Sequence, residues 1–142
     1  MQGDRKWCDC MPMKNPKAEH VDFGIFEGLI PENPKWSASN IDMCYHRSSK
    51  DRTRDSFLIV EWKHPDERDM LDGQKYLLKA LSSLPNTIVL LVIGYSKPGD
   101  ARVDKIYKVH KNGLTEQTIA EDQTGIDKLK SLLTIWYDWA SK

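Results

Sequence analysis

An acid and a base two positions apart close the apolar segment Phe57–Lys63, whose sequence is FLIVEWK. Because side chains alternate along a strand, Glu61 and Lys63 are expected to share a face with Phe57 and Ile59. Burying a carboxylate or an ammonium group is costly unless it is paired. The segment therefore predicts a strand that ends in two charged side chains, each of which needs a partner.

A second acid, Asp42, lies near the start of another strand-like segment at about 41–47. Residues 48–56, between the two segments, are wholly polar and predict a hairpin loop. If Asp42 faces Glu61 in an antiparallel pair, the turn falls between residues 51 and 52, at the centre of this loop. Directly opposed residues share a face, with Cβ atoms about 5 Å apart. The hairpin therefore predicts two carboxylates that one metal ion can bridge.

Two neighbouring carboxylates beside a lysine favour metal-dependent hydrolysis of a phosphodiester. This reaction requires a deprotonated water and relief of charge on the phosphate, and Mg²⁺ (or Mn²⁺) supplies both. Asp42 and Glu61 are the expected metal ligands, and the backbone carbonyl of Trp62 is a third. Lys63 is expected to orient the attacking water or to stabilise the developing negative charge.

A helix is predicted from about Asp66 to Leu84, with Asp69 at the position that completes a capping box. Its apolar stripe includes Gln74, which lies four residues before Leu78. A polar amide on a buried face needs a partner. A site beneath the end of the preceding strand would supply one, although a place at the edge of the stripe is the alternative for Gln74.

The remaining sequence predicts further strands and a final helix. The continuously apolar segment 87–93 is typical of a central strand covered on both faces. Asn112-Gly113 favours a two-residue turn that joins strands at 105–110 and 114–119. A last helix is expected to begin near Thr124, with a capping box. The predicted fold class is α/β, with a central mixed sheet flanked by helices.

Asp42, then Val60-Glu61-Trp62-Lys63, then Gln74 in the following helix, resembles the PD-(D/E)XK nuclease superfamily. The segment Glu61-Trp62-Lys63 followed by Asp72-Gly73-Gln74 is similar to small VRR-NUC and Holliday-junction-resolvase-like members. The resemblance covers about residues 40–95. It implies a restriction-endonuclease-like core, divalent-metal dependence, a nucleic-acid substrate, taken here as DNA, and a catalytic site that Gln74 lines.

The chain departs from the literal motif, because Ile41 stands where the motif has proline. Many members also carry an acid on the first helix. A short helix is predicted within residues 18–29, and Glu19 and Glu27 are both candidates for that acid.

Basic residues make the predicted hairpin loop a candidate for contact with the phosphate backbone, although a solvated loop is the default expectation. His46 and His64 are expected at strand ends near the site, and His64 is a further candidate substrate contact. The substrate candidates in the loop are Arg47, Lys50 and Arg52, with Arg54 beside them.

Composition limits the classes of function. The 142 residues suit one domain, with residues 1–18 as an irregular arm. Lys and Arg balance Asp and Glu at 21 each, which argues against indiscriminate coating of DNA but leaves a nuclease open. No apolar run is long enough to span a membrane, no signal peptide is evident, and three cysteines suggest no disulfide framework, so a cytoplasmic protein is expected.

Three further patterns stay open in the sequence. Cys8 and Cys10, with His20, allow a zinc site, but free thiols fit their spacing better. Trp136, Tyr137 and Trp139 are too close in sequence to share one core, so some are exposed or pack in a homodimer. A nucleic-acid-binding or protein-interaction module with a vestigial site, or an interaction protein without a nucleic-acid role, is the alternative to a nuclease.

Overall fold

The computed structural model describes residues 23–36, 38–39, 41–66 and 72–142. The chain divides into two compact units, residues 1–40 and residues 41–142. In the first unit the described residues include a four-residue 3-10 helix, Phe23–Phe26, inside the range 18–29 where a short helix is predicted, and residues 18–22 of that range lie outside the described residues. The predicted arm and the cysteine pair at 8 and 10 lie outside the described residues.

The second unit is a five-stranded mixed sheet with a helix on each face, which confirms the predicted α/β class. The strands lie in the order β1-β2-β3-β4-β5, and only β2 and β3 are parallel neighbours. The elements are β1 (Met43–Ser48), β2 (Asp55–Lys63), α1 (Asp72–Ser82), β3 (Thr87–Lys97), β4 (Asp100–His110), β5 (Gly113–Glu116) and α2 (Gly125–Ser141).

The hairpin of β1 and β2 has the predicted register. Met43 pairs with Val60, and the ladder runs without a shift to Ser48 opposite Asp55. Asp51 holds the loop closed, because its carboxylate accepts hydrogen bonds from the hydroxyl groups of Ser49 and Thr53 at 2.8 and 2.7 Å. One further step of this register brings Asp42 opposite Glu61.

Alternating side chains of the central strands supply two separate cores. On one face Leu58, Val60, Leu90 and Val92 are buried with residues of α2. On the other face Ile59, Val89 and Leu91 are buried with Leu78 of α1. β3 is therefore covered on both sides, as its continuous apolar sequence predicts.

Helix α1 ends earlier than predicted. The hydroxyl groups of Ser82 and Ser83 both donate to the carbonyl of Lys79, which competes with continuation of the helix. Leu84 follows the helix end and is exposed, so it is not part of the apolar stripe. The predicted start, including Asp69, falls partly on residues 67–71, outside the described part of the chain.

The sequence prediction misplaces one turn and misses another. The loop between β4 and β5 is Lys111-Asn112, and Gly113 already pairs with His110, so the predicted turn is wrong by one residue. β4 begins at Asp100 rather than at residue 105, because Pro98-Gly99 forms a tight turn after β3. Gly99 has φ of 75°, a backbone conformation that glycine adopts without strain.

Helix α2 begins as predicted and is attached to the first hairpin. The Thr124 hydroxyl accepts the N–H of Asp127 at 3.1 Å, which caps the helix. Trp136 is buried, whereas Tyr137 and Trp139 are exposed. In the described residues no helix is long and apolar enough to cross a membrane.

Gly94 allows β3 and β4 to lie close together just beyond the end of β2. A Cβ atom at this position would meet the backbone carbonyl of Arg102 and would lie 3.0 Å from the Val103 Cα. The Gly94 carbonyl also accepts the Trp62 indole N–H at 2.9 Å.

We therefore expect Gly94→Ala to lower the free energy of unfolding by about 1–3 kcal/mol, because backbone must move to make room. Urea denaturation followed by circular dichroism measures this change. Ser96→Ala, at an exposed position on the same strand, is the control and should change it by less than about 0.5 kcal/mol. Equal stability of the two variants would contradict the packing argument.

Candidate metal centre

Most of the candidate catalytic residues lie at one end of the sheet. The parallel strands β2 and β3 both run towards it, with β2 ending at Lys63 and β3 continuing four residues past its partner Ile93. Asp42 lies there too, just before the start of the antiparallel strand β1. Glu61 pairs with Leu91 and Lys63 pairs with Ile93, so both charged side chains lie on the face that α1 covers. The fold therefore brings Asp42, Glu61 and Lys63 together, as the sequence predicts.

Glu61 is buried, with 7% of its surface exposed. Burial raises the pKa of its carboxyl group from 4.5 to about 7, and the charge and hydrogen bond of the neighbouring Asp42 carboxyl act in the same direction. The backbone N–H of Asp42 and the positive charge of Lys63 oppose this shift. The two carboxyl groups are in hydrogen-bond contact, and the pair favours binding of a proton or another cation.

Asp42 is fixed from the side of β2. Its Oδ2 atom accepts the backbone N–H of Trp62 at 2.7 Å. The N–H and C=O groups of one strand residue point towards the same neighbour. The Trp62 carbonyl is therefore directed to the side of β2 where Asp42 lies, which is what the predicted third metal ligand requires.

The structure supports a place at the site for Lys63 more directly than for Gln74. Lys63 is half-buried, and its charge acts on Glu61. Gln74 is half-buried on α1, one turn before the buried Leu78, and so faces the same side of the sheet. Helix α1 packs on β3 and β4. A contact between Gln74 and the carboxylates stays a prediction.

The donor set fits a hard divalent cation. Two carboxylates in contact repel each other when ionised, and a bound cation removes this cost. Within 23–36, 38–39, 41–66 and 72–142 there is no group of three or more His, Cys, Asp and Glu residues that could hold a metal. Mg²⁺ does not require such a group, because it keeps several waters and takes one or two carboxylates.

The basic hairpin loop lies at the opposite end of the sheet from this site. Lys50 and Arg52 are separated from Glu61 by the length of β2, about 20 Å or more. Arg47 instead attaches the hairpin to α2, because it donates to the Ser141 hydroxyl at 2.9 Å and lies over the Tyr137 ring at 4.4 Å. The structure thus separates these three candidate substrate contacts from the carboxylates.

Arg54 makes a similar attachment. It donates to the Trp139 carbonyl at 2.9 Å and lies over the Trp139 ring at 4.6 Å. Cations near the last carbonyl groups of a helix interact favourably with its dipole. The two exposed aromatic residues of α2 therefore have partners within the chain, and the homodimer stays a prediction.

Two expectations about β1 are wrong. Cys44 shares the face of Asp42, which predicts a place in the core, but it is exposed because α1 packs on β3 and β4. His46 lies opposite Phe57, four residues or about 13 Å along β2 from Glu61, and its Nε2 atom is 2.8 Å from Asp55. It is therefore not near the site.

His64 directly follows Lys63 and remains at the site. Its ring meets the Tyr95 ring edge to face, with centroids 4.2 Å apart, and Arg102 lies over Tyr95 at 4.2 Å. Sequence reasoning missed Tyr95 and Arg102. The Pro98-Gly99 turn signal would have placed them opposite each other on neighbouring strands. Of the two candidate first-helix acids, Glu27 lies in the first unit and Glu19 lies outside the described residues.

Comparison with protein-family models, with curated proteins and with solved structures finds no match to this chain. The resemblance to PD-(D/E)XK nucleases therefore rests on the motif residues alone.

The raised pKa of Glu61 predicts a pH-dependent stability in the absence of metal. Between pH 4.5 and about 7 the folded chain keeps a proton on this carboxyl that the unfolded chain has released. Stability should therefore fall as the pH rises through this interval. The lowered pKa values of Asp51 and Asp55 act below 3.8 and do not overlap with it.

Glu61→Gln should remove this contribution, because glutamine does not ionise. The measurement is the melting temperature in EDTA from pH 4.5 to 8 for the native chain and the variant. The melting temperature of the native chain should fall relative to that of the variant as the pH rises. Parallel curves for the two proteins would contradict the assignment.

Proposed function

We propose that this chain is a divalent-metal-dependent nuclease that hydrolyses phosphodiester bonds of DNA. The observation that carries the proposal is the contact between the Asp42 carboxyl and the buried Glu61 carboxyl, beside Lys63 at the end of β2. Natural proteins seldom place such a set at a strand end for stability alone, because burial of charge is costly. The motif resemblance supports the same activity.

The chain's own residues have distinct roles in this proposal. Asp42, Glu61 and the Trp62 carbonyl would hold Mg²⁺ or Mn²⁺, which when bound supplies an activated water and offsets charge on the phosphate. The Trp62 N–H orients the Asp42 carboxylate through the 2.7 Å hydrogen bond. Lys63 orients the attacking water or stabilises the charge that develops on the phosphate. Gln74 positions one of these groups.

A nucleic-acid-binding module with a vestigial site is the second candidate. The lack of a three-ligand metal group in the described residues favours it. Titration with Mn²⁺ distinguishes the two candidates, because a cation that binds the folded state raises the melting temperature. A rise that Glu61→Gln abolishes supports the nuclease, and no rise with the native chain supports the vestigial site.

Cleavage assays on labelled DNA single strands, duplexes, flaps and four-way junctions test the proposed activity, with an RNA series for comparison. We expect cleavage with Mg²⁺ or Mn²⁺ and none with EDTA. Glu61→Gln and Lys63→Ala should each lower the rate by about 100-fold or more, because each removes a group that acts on the transition state.

Matched control variants distinguish the effect of losing a charge from the effect of losing a site residue. Asp138→Asn and Lys111→Ala change an exposed acidic and an exposed basic residue away from the carboxylates, and both should retain the native rate. Circular dichroism spectra establish that all four variants fold. Native rates for Glu61→Gln or Lys63→Ala, or cleavage that survives EDTA, would contradict the proposal.

A further inference from the structure

Three side chains in contact with one another extend from the candidate metal centre across the end of the sheet. The group begins with His64, continues with the Tyr95 ring and ends with the Arg102 guanidinium group. Tyr95 lies two residues beyond Ile93, the cross-strand neighbour of Lys63. The group therefore adjoins the end of β2, the strand that carries Glu61 and Lys63.

Arg102 is held in place but remains accessible. Its guanidinium carbon is 4.2 Å from the centre of the Tyr95 ring, and its Nε atom donates to the Asp104 carboxylate at 3.2 Å. The side chain keeps 62% of its surface exposed. Stacking on an aromatic ring restricts the many rotamers of arginine, so a ligand that binds this guanidinium loses less conformational entropy.

The position of Arg102 suits a ligand that also reaches the carboxylates. Tyr95 and Arg102 are direct partners in the pairing of β3 with β4. β4 lies two strands from β2, or about 10 Å across the sheet, and Tyr95 lies four residues, or about 13 Å, beyond Leu91, the partner of Glu61. The backbone of Arg102 is therefore about 16 Å from that of Glu61. A nucleic-acid strand whose scissile phosphate lies at Glu61, and which continues past the end of β2, would thus bring a backbone phosphate a few nucleotides away within reach of the Arg102 side chain.

Among the described residues, the other arginines of the second unit are less suited to this role. The guanidinium groups of Arg47 and Arg54 attach the first hairpin to α2, and Arg52 lies at the far end of β2. Arg102 lies towards the same end of the sheet as the carboxylates.

We propose that Arg102 binds a backbone phosphate of the DNA strand a few nucleotides from the scissile bond, with Tyr95 and Asp104 as positioning residues. The proposal rests on the proposed function for its ligand. A guanidinium group matches the geometry of phosphate oxygens, and such contacts fix the position of the strand without reading its sequence. The site therefore takes the sugar-phosphate backbone rather than a particular base.

Fluorescence anisotropy of a labelled oligonucleotide, as single strand and as duplex, tests this assignment. The titrations use Lys63→Ala protein in Mg²⁺, so that binding is measured without cleavage. Adding Arg102→Ala should lower the association constant about tenfold or more. It should also reduce the slope of log affinity against log salt by about 0.7–0.9, as expected for the loss of one phosphate contact.

Arg52→Asn is the matched control, since it removes one arginine charge at the far end of β2. Arg52 has φ of 60°, which asparagine tolerates, so the substitution should not strain the loop. Its affinity should stay within about twofold of the parent protein and its salt slope should be unchanged, because the far end of β2 is not part of the proposed strand path. Equal effects of Arg102→Ala and Arg52→Asn would overturn the proposal, as would the absence of any DNA binding.

Tyr95 variants test positioning separately from charge. Tyr95→Leu should weaken binding but keep the salt slope, because Arg102 retains its charge and loses its support. Tyr95→Phe should restore the affinity, since the ring is kept. Unchanged affinity of Tyr95→Leu would overturn the positioning role.

The binding and cleavage assays can fail independently. If Arg102→Ala weakens binding while the native chain cleaves nothing, the phosphate contact holds and the nuclease assignment fails. If the native chain cleaves DNA in the presence of metal but Arg102→Ala binds as the control does, the nuclease assignment holds and the phosphate contact fails.

Discussion

The buried carboxyl of Glu61 is the constraint on which the rest of the site depends. At 7% exposure, with the Asp42 carboxyl in contact, an ionised Glu61 needs a nearby positive charge. Lys63 supplies part of it from the same face of β2. The pKa of about 7 shows that the lysine does not cancel the cost of burial and of the second carboxyl. A divalent cation would remove this remaining cost, and on this ground we propose a metal site rather than an ion pair.

The fold produces this contact through strand register and direction. Asp42 meets Glu61 because the β1–β2 hairpin runs without a bulge from Met43 to Ser48, so its register continues to the pair. β3 then lies parallel to β2 and continues four residues past the end of β2. β4 returns antiparallel along this extension and brings Arg102 to the same end of the sheet. The residues of the site are therefore distant in sequence but are positioned by backbone pairing rather than by flexible loops.

The sequence allowed the hairpin register, the covered central strand and the capped final helix to be predicted, because each depends on local periodicity or on one turn. It did not allow the contacts of the basic residues to be predicted. Arg47 and Arg54 pack against the end of α2, a contact between elements far apart in sequence. Cys44 is exposed because α1 packs on β3 and β4, which strand alternation alone does not reveal. The role of Gln74 also depends on where this helix lies, so it stays a prediction.

Calorimetric titration of the native chain with Mn²⁺ near pH 7, in buffers of different ionisation enthalpy, tests the central claim most directly. If the cation binds between Asp42 and Glu61, it must displace the proton that the raised pKa of Glu61 retains. The account predicts binding with release of a fraction of one proton, less release at higher pH, and no such binding by Glu61→Gln. Binding without proton release, equal binding by Glu61→Gln, or no binding at all would contradict it.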